Sequence, residues 1–323
     1  MFKGIAITIS ACIIWGLIYV IPLFMEDFNP LEIAIGRYLC YGMVSVIYML
    51  AFSRASLLTT PFYVWKKAFI FSFLAHVGFY PATVLSIKYA DAAVAALILG
   101  MTPVTIAVIG NLKQKECSFK SLLWPCVAMM VGLIMVNYSA LLETSFENSI
   151  PIYCLGLIFG FLALISWSTY AIANGRFLKR NPKLSSREWS SIMGIASGIW
   201  VMALGIGLLF FTPKAFLSKF LIWTPELQTF LVGSLVLGLA CSWTGAFLWN
   251  KGSSMLPISL AGQLTIFETL FGLLFVYLIQ KKIPTALEFS GIAIILIGIY
   301  SSIKIFTKAP EPVSEKVVER VKE

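Results

Sequence analysis

Glu268 lies near the middle of the apolar run Ile258 to Ile279, which carries no other charge. At such depth in a bilayer a carboxylate costs a few kcal/mol or more, and it usually faces a cavity, a partner or a pathway. It could bind a solute ammonium, carry a proton, or serve as a structural acid bonded to a neighbouring helix. Arg37 sits about six residues into a second apolar run. Its planar fork suits a solute carboxylate or Glu268 itself; snorkelling to the interface and bracing backbone carbonyls are the packing alternatives. His76, the sole histidine, lies mid-run with Tyr80 one helical turn on. That pair allows a proton relay or a packed, hydrogen-bonded histidine. Trp15, Tyr19 and Trp167 sit deep in their runs, where ring faces could hold an apolar or cationic solute. Tyr170, Trp243 and Trp249 fit an interfacial belt as well. Gln263 precedes Glu268 by five residues, only partly on its face. The candidate solute-binding set is Glu268, Arg37, Trp15, Tyr19, His76, Tyr80, Trp167 and Gln263.

Other chemistries lack their residues. No G-x-x-x-x-G-K-[ST] stretch is present, so ATP hydrolysis is not expected. One histidine and no clustered polar motif argue against an enzyme. The cysteines Cys12, Cys40, Cys117, Cys126, Cys154 and Cys241 are scattered, without C-x-x-C spacing. They read as small apolar helix residues. No disulfide, metal or cofactor is expected.

The elements that must position these residues follow from composition. Of 323 residues 59% are hydrophobic and 12% charged, about half the globular share of charge. A water-soluble fold could not cover that much apolar surface. The chain reads as an all-α membrane protein. Runs of roughly 20 apolar residues place spans near 3–25, 31–52, 68–88, 91–111, 120–139, 151–174, 189–211, 228–249, 257–279 and 287–306. The Ile9-Ser10-Ala11-Cys12 stretch loosely resembles a lipoprotein cleavage box, but the apolar run continues past it to Met25. A signal peptide carries its apolar core before the cleavage site, so an uncleaved first span is expected.

The net charge of +9 is spread over short segments between spans. With the N-terminus inside, 18 lysines and arginines fall on the cytoplasmic side and 5 on the other, with Arg37 inside a span. This positive-inside bias puts both termini in the cytoplasm. It explains the charge without nucleic acid. The segment Thr212 to Glu226 suggests a short interfacial helix, and 307–323 a disordered cytoplasmic tail.

A shift of 166 residues aligns Ala95 with Ala261, Pro103 with Thr269, Glu116 with Lys282 and Gly132 with Gly298. Another, of 152, aligns Trp15 with Trp167. Two five-helix repeats are expected, 1–140 and 150–306. Five is odd, so the second would be inverted, as in many transporters with midplane binding sites.

These residues resemble the EamA type of the drug/metabolite transporter superfamily. Trp15-Gly16 is similar to the family's first-span pattern, and Asn29 to Tyr38 to its second-span signature, with the arginine at Arg37. Lys88 to Leu97 and Met101 to Val104 resemble the short hairpin and proline-bearing fourth span, and Glu116 stands at the family's loop acid. Phe159 to Arg176 is similar to the sixth span, and Ile266 to Gly272 to the ninth-span Glu-Pro pattern, with Thr269 replacing proline and Lys282 replacing the second loop acid. The resemblance implies ten helices in two inverted repeats, a central cavity and movement of small metabolites or drugs. The lost proline puts a kink of the ninth span in doubt, although Gly272 could loosen that helix.

The combined reading is a secondary transporter of the bacterial inner membrane, working by alternating access. Its expected cargo is an amino acid or derivative, moved outward, because Arg37 and Glu268 suit a zwitterion. Protons are the candidate coupling ion, and a monomer or homodimer the expected assembly. The alternatives are uptake of a nucleoside-like metabolite, efflux of cationic drugs or, from another class, a membrane assembly subunit that moves nothing.

Overall fold

The computed structural model describes residues 1–142, 149–211 and 218–308. Ten helices long and apolar enough to cross a membrane follow one another: Phe2–Phe24, Pro30–Phe52, Phe62–Tyr89, Ala92–Leu112, Phe119–Leu142, Ile150–Arg180, Ser186–Gly207, Pro225–Ser254, Ile258–Gln280 and Ala286–Thr307, here spans 1 to 10. All ten expected runs are present. Spans 3, 6 and 8 are longer than expected, at 28, 31 and 30 residues. Their extra turns carry polar residues such as Lys66, Arg176 and Asn250, which apolarity alone does not assign to a helix. Within the expected interfacial segment, 212–217 lies outside the described residues, Ser218–Phe220 is one 3₁₀ turn, and Pro225 already starts span 8. The tail from 309 onward also lies outside them.

Local signals set the starts. Asn29 accepts from the Glu32 N–H while the Glu32 carboxylate accepts from the Asn29 N–H, a capping box with Pro30 at the first helical position. Thr285 and Glu288 repeat the box before span 10. Asp91 accepts from Ala93 N at 2.7 Å and opens span 4 straight after span 3.

The packing follows a rule. Spans 2 and 7 pair, as do 4 and 9, and 5 and 10; span 1 meets spans 8 and 9, span 6 meets spans 3 and 4, and spans 2 and 7 also meet spans 8 and 3. Advancing every span number by five maps this set onto itself. Side-chain detail follows the 166-residue register. A Cβ on Gly132 would lie 2.5 Å from Gly291 O, and one on Gly298 3.1 Å from Pro125 O. These are two equivalent close approaches in the one crossing of spans 5 and 10, the kind small residues permit between membrane helices.

Candidate functional site

Span 1 passes from α-helix to 3₁₀ turns at Leu17, and spans 3, 4, 8 and 9 are irregular within their length. Span 3 makes a π-helical turn over Phe73–Gly78, and span 8 over Leu237–Thr244. Such turns recur at functional sites. Span 4 is interrupted at Met101, and span 9 at Thr265. In each interruption a threonine hydroxyl takes the carbonyl three residues back: Thr102 to Leu99 O and Thr265 to Gly262 O, both 2.6 Å. Span 9 therefore breaks without the proline, four residues ahead of Thr269. Irregular backbone at membrane depth is tolerated where it is buried in protein or lines a cavity.

The π-turn of span 8 meets spans 1 and 2. Its Cys241 carbonyl accepts from Trp15 Nε1 at 2.8 Å, and Ser242 Oγ accepts from Arg37 Nε at 2.8 Å. The Arg37 guanidinium lies 5.0 Å from the Tyr38 ring centre. Its Nη groups have no hydrogen-bond partner among the described residues. Arg37 neither snorkels nor pairs with Glu268.

Glu268 occupies the first turn of the half-helix Ile266–Gln280, where the helix dipole favours a carboxylate. It is half-buried and lies within electrostatic range of Arg37, Tyr19, Tyr38, Cys12 and Cys241. Among the described residues no cation stands within ion-pair distance of it and nothing donates to its carboxylate. Two opposite charges, one from each half of the chain, thus face a common region without satisfying each other.

Aromatic rings complete the wall. Tyr19 is 46% exposed, and Gly272 leaves room for its ring against span 9. Trp15 packs edge-on to Trp167 at 6.1 Å and against Trp249 at 5.6 Å. The π-turn of span 3 brings His76 to 4.3 Å from Tyr38, ring centre to ring centre, and its Nδ1 to 2.7 Å from Ser197 Oγ. Ser197 gives its one proton to Met193 O. His76 Nδ1–H therefore donates to Ser197 Oγ. Tyr80 packs near Tyr38 and donates its hydroxyl to Pro30 O at 2.7 Å.

Gln263 is not brought to this group. It is fully buried and bonds Cys126 Sγ and Ser302 Oγ, joining spans 5, 9 and 10. Five residues of offset, with the break at Thr265 between, turn it away. Trp249, read from sequence as a belt candidate, is buried at 2% exposure. Sequence reasoning missed Ser242, Ser197 and Tyr38. The small-residue run Gly238 to Ser242 was the only trace of the π-turn that presents Ser242.

One contact between the halves lies away from this region. Glu116, in the loop after span 4, accepts from Ile258 N at 2.7 Å and Ser259 N at 2.8 Å, capping span 9. Beside it, burial pushes the Cys117 thiol up to about 11, with the Glu116 charge adding to the shift.

Residues 2–138 match the EamA-like transporter family. The match spans the first five helices of the chain. Over its whole length the chain is 27% identical to inner membrane protein YtfF of Escherichia coli (strain K12), covering 99% of this chain and all of that one. A 48-residue stretch is 42% identical to an uncharacterized transporter of Haemophilus influenzae, covering 15% of this chain and 28% of that one. A crystal structure 18% identical in sequence shares the fold at a TM-score of 0.75, across 94% of this chain and 96% of that one. With ten helices long and apolar enough to cross a membrane, the chain is a multi-pass membrane protein whose first half is similar to transporters.

Proposed function

We propose that the protein is a secondary transporter of the bacterial inner membrane that binds a zwitterionic metabolite, an amino acid or derivative, between its two halves. The observation that carries this reading is the unsatisfied pair, the Arg37 fork and the Glu268 carboxylate, on spans 2 and 9. A carboxylate on the fork and an ammonium at Glu268 would satisfy both with one small solute. The surrounding rings Trp15, Tyr19, Tyr38 and Trp167 would hold its apolar part, and His76 and Tyr80 brace that wall.

The pairing of spans, unchanged when span numbers advance by five, supports two repeats, 1–140 and 150–306. With an odd number of spans each, they are inverted, and rocking of one against the other gives alternating access. The full-length relative supports the inner membrane as location, and the lysine and arginine distribution supports cytoplasmic termini. The test is thermal stabilisation of the purified protein by the twenty proteinogenic amino acids, each beside its decarboxylated amine. Stabilisation by an amino acid over its amine is expected. Stabilisation by nucleosides or cationic drugs alone would replace the zwitterion reading.

A further inference from the structure

Beyond the Arg37–Glu268 region, spans 4, 6, 8 and 9 enclose a small void whose walls include Ile106, Ala171, Trp249, Ser253, Ile258 and Gly262. Trp249 closes it towards Trp15 and the ring-lined region. Ile258 closes it at the end where span 8 stops and span 9 starts, the side that the basic residues assign to the cytoplasm.

Around this void the hydrogen bonding is incomplete. Among the described residues Trp249 Nε1 and Ser253 Oγ, both in its wall, have no partner, in residues 2% and 3% exposed. Buried polar groups are normally paired, and each unpaired one carries a desolvation cost. Two, one helical turn apart at the end of span 8 and beside the same void, call for a reason. A second conformation, in which the void opens and these groups are wetted, supplies it.

The turn that closes the void is held from the other half of the chain. Glu116 grips the N–H groups of Ile258 and Ser259 at once, a charge-assisted pair of bonds. Among the described residues the opposite face has no copy of this grip. The residue 166 positions on is Lys282, which cannot accept a hydrogen bond, and span 4 is capped from within its own half by Asp91. On that opposite face the halves are joined instead by an ion pair, Lys219 Nζ to Glu32 Oε2 at 3.1 Å, so the tie that caps a helix start across the halves is the one made by Glu116.

We propose that this void is the closed cytoplasmic leg of the solute path. Trp249 and Ser253, in its wall, turn their polar atoms to water or to the hydrogen-bonding groups of a small polar solute when it opens. Glu116 is the latch that shuts it. The solute's passage rests on the transport reading; the latch does not.

The experiment uses a cysteine-free background carrying Ser253→Cys as reporter, in inside-out and right-side-out membrane vesicles, with a membrane-impermeant maleimide as probe. Thermal midpoint and gel-filtration profile establish that each variant is folded. Adding Glu116→Ala raises the labelling rate from the cytoplasmic side about tenfold, and Glu116→Gln, which keeps one acceptor, raises it less. A folded Glu116→Ala whose rate stays within about twofold of its parent overturns the latch. Should Glu116→Ala fail to fold, the Glu116→Gln rate decides in the same way. Labelling that rises only in right-side-out vesicles overturns the cytoplasmic placement. A protein that moves no solute yet shows Glu116-dependent labelling defeats the transport reading and upholds the latch.

Discussion

Arg37 donates its Nε–H to Ser242 Oγ at 2.8 Å, tying span 2 to the π-turn of span 8. The bond uses the one nitrogen that a bidentate carboxylate contact can spare and holds the Nη groups in place. Ser242→Ala is therefore expected to weaken binding of an amino acid about 3- to 10-fold, the scale of one hydrogen bond, and to leave binding of its decarboxylated amine unchanged. Ser242→Thr restores the hydroxyl and most of the affinity. Titration of the stabilising ligand against each variant measures this; an equal loss for acid and amine would mean that Ser242 only packs.

His76 and Ser197 form a second bond of this kind, joining spans 3 and 7 at 2.7 Å. Ser197→Ala removes the acceptor for Nδ1–H and frees the ring to turn against Tyr38. We expect a thermal midpoint lowered by an amount equivalent to about 1 kcal/mol and weaker solute binding, with Ser197→Thr closer to the parent. An unchanged midpoint and affinity would remove His76 from the binding wall.

Lys115 and Lys281, 166 residues apart, end spans 4 and 9 in the left-handed conformation, at φ 49° and 53°. A side chain there costs about 1 kcal/mol relative to glycine. Lys281→Gly should raise the thermal midpoint, and the β-branched Lys281→Val should lower it. The reverse order would contradict the cap geometry.

Gly132 meets Gly291 backbone to backbone, leaving no room for a Cβ. Gly132→Leu should part spans 5 and 10 and destabilise the protein by about 3 kcal/mol. Gly205→Leu, with nothing within 4 Å of the added Cβ, is the control and should leave the midpoint in place. Equal midpoints for the two variants would show that this crossing is loosely packed.

What the sequence could reveal depended on contrast. Arg37 and Glu268 stood out because each is a charge in an apolar run, and the ten spans because each run is long enough to cross a bilayer. Ser242 and Ser197 did not stand out: a serine in a helix most often bonds its own backbone, and only the π-turns and the span 7 packing give these two a partner elsewhere. Gln263 looked like part of the site on polarity and proximity to Glu268, yet the break at Thr265 turns it towards Ser302. The break itself was expected to depend on proline; threonine hydroxyls at 102 and 265 accompany it instead. Trp249 carries the residue type of a membrane belt but is buried against Trp15, a difference set by packing and not by composition.

The central claim is that one solute bridges Arg37 and Glu268 while crossing the membrane. Counterflow of the radiolabelled amino acid that best stabilises the purified protein, measured in proteoliposomes, tests this most directly. The account predicts saturable counterflow by the parent chain, reduced at least about tenfold in Arg37→Ala and in Glu268→Gln, the loss expected when a buried charge-assisted bond is removed, with both variants folded. Undiminished counterflow in either folded variant, or none in the parent, would contradict it.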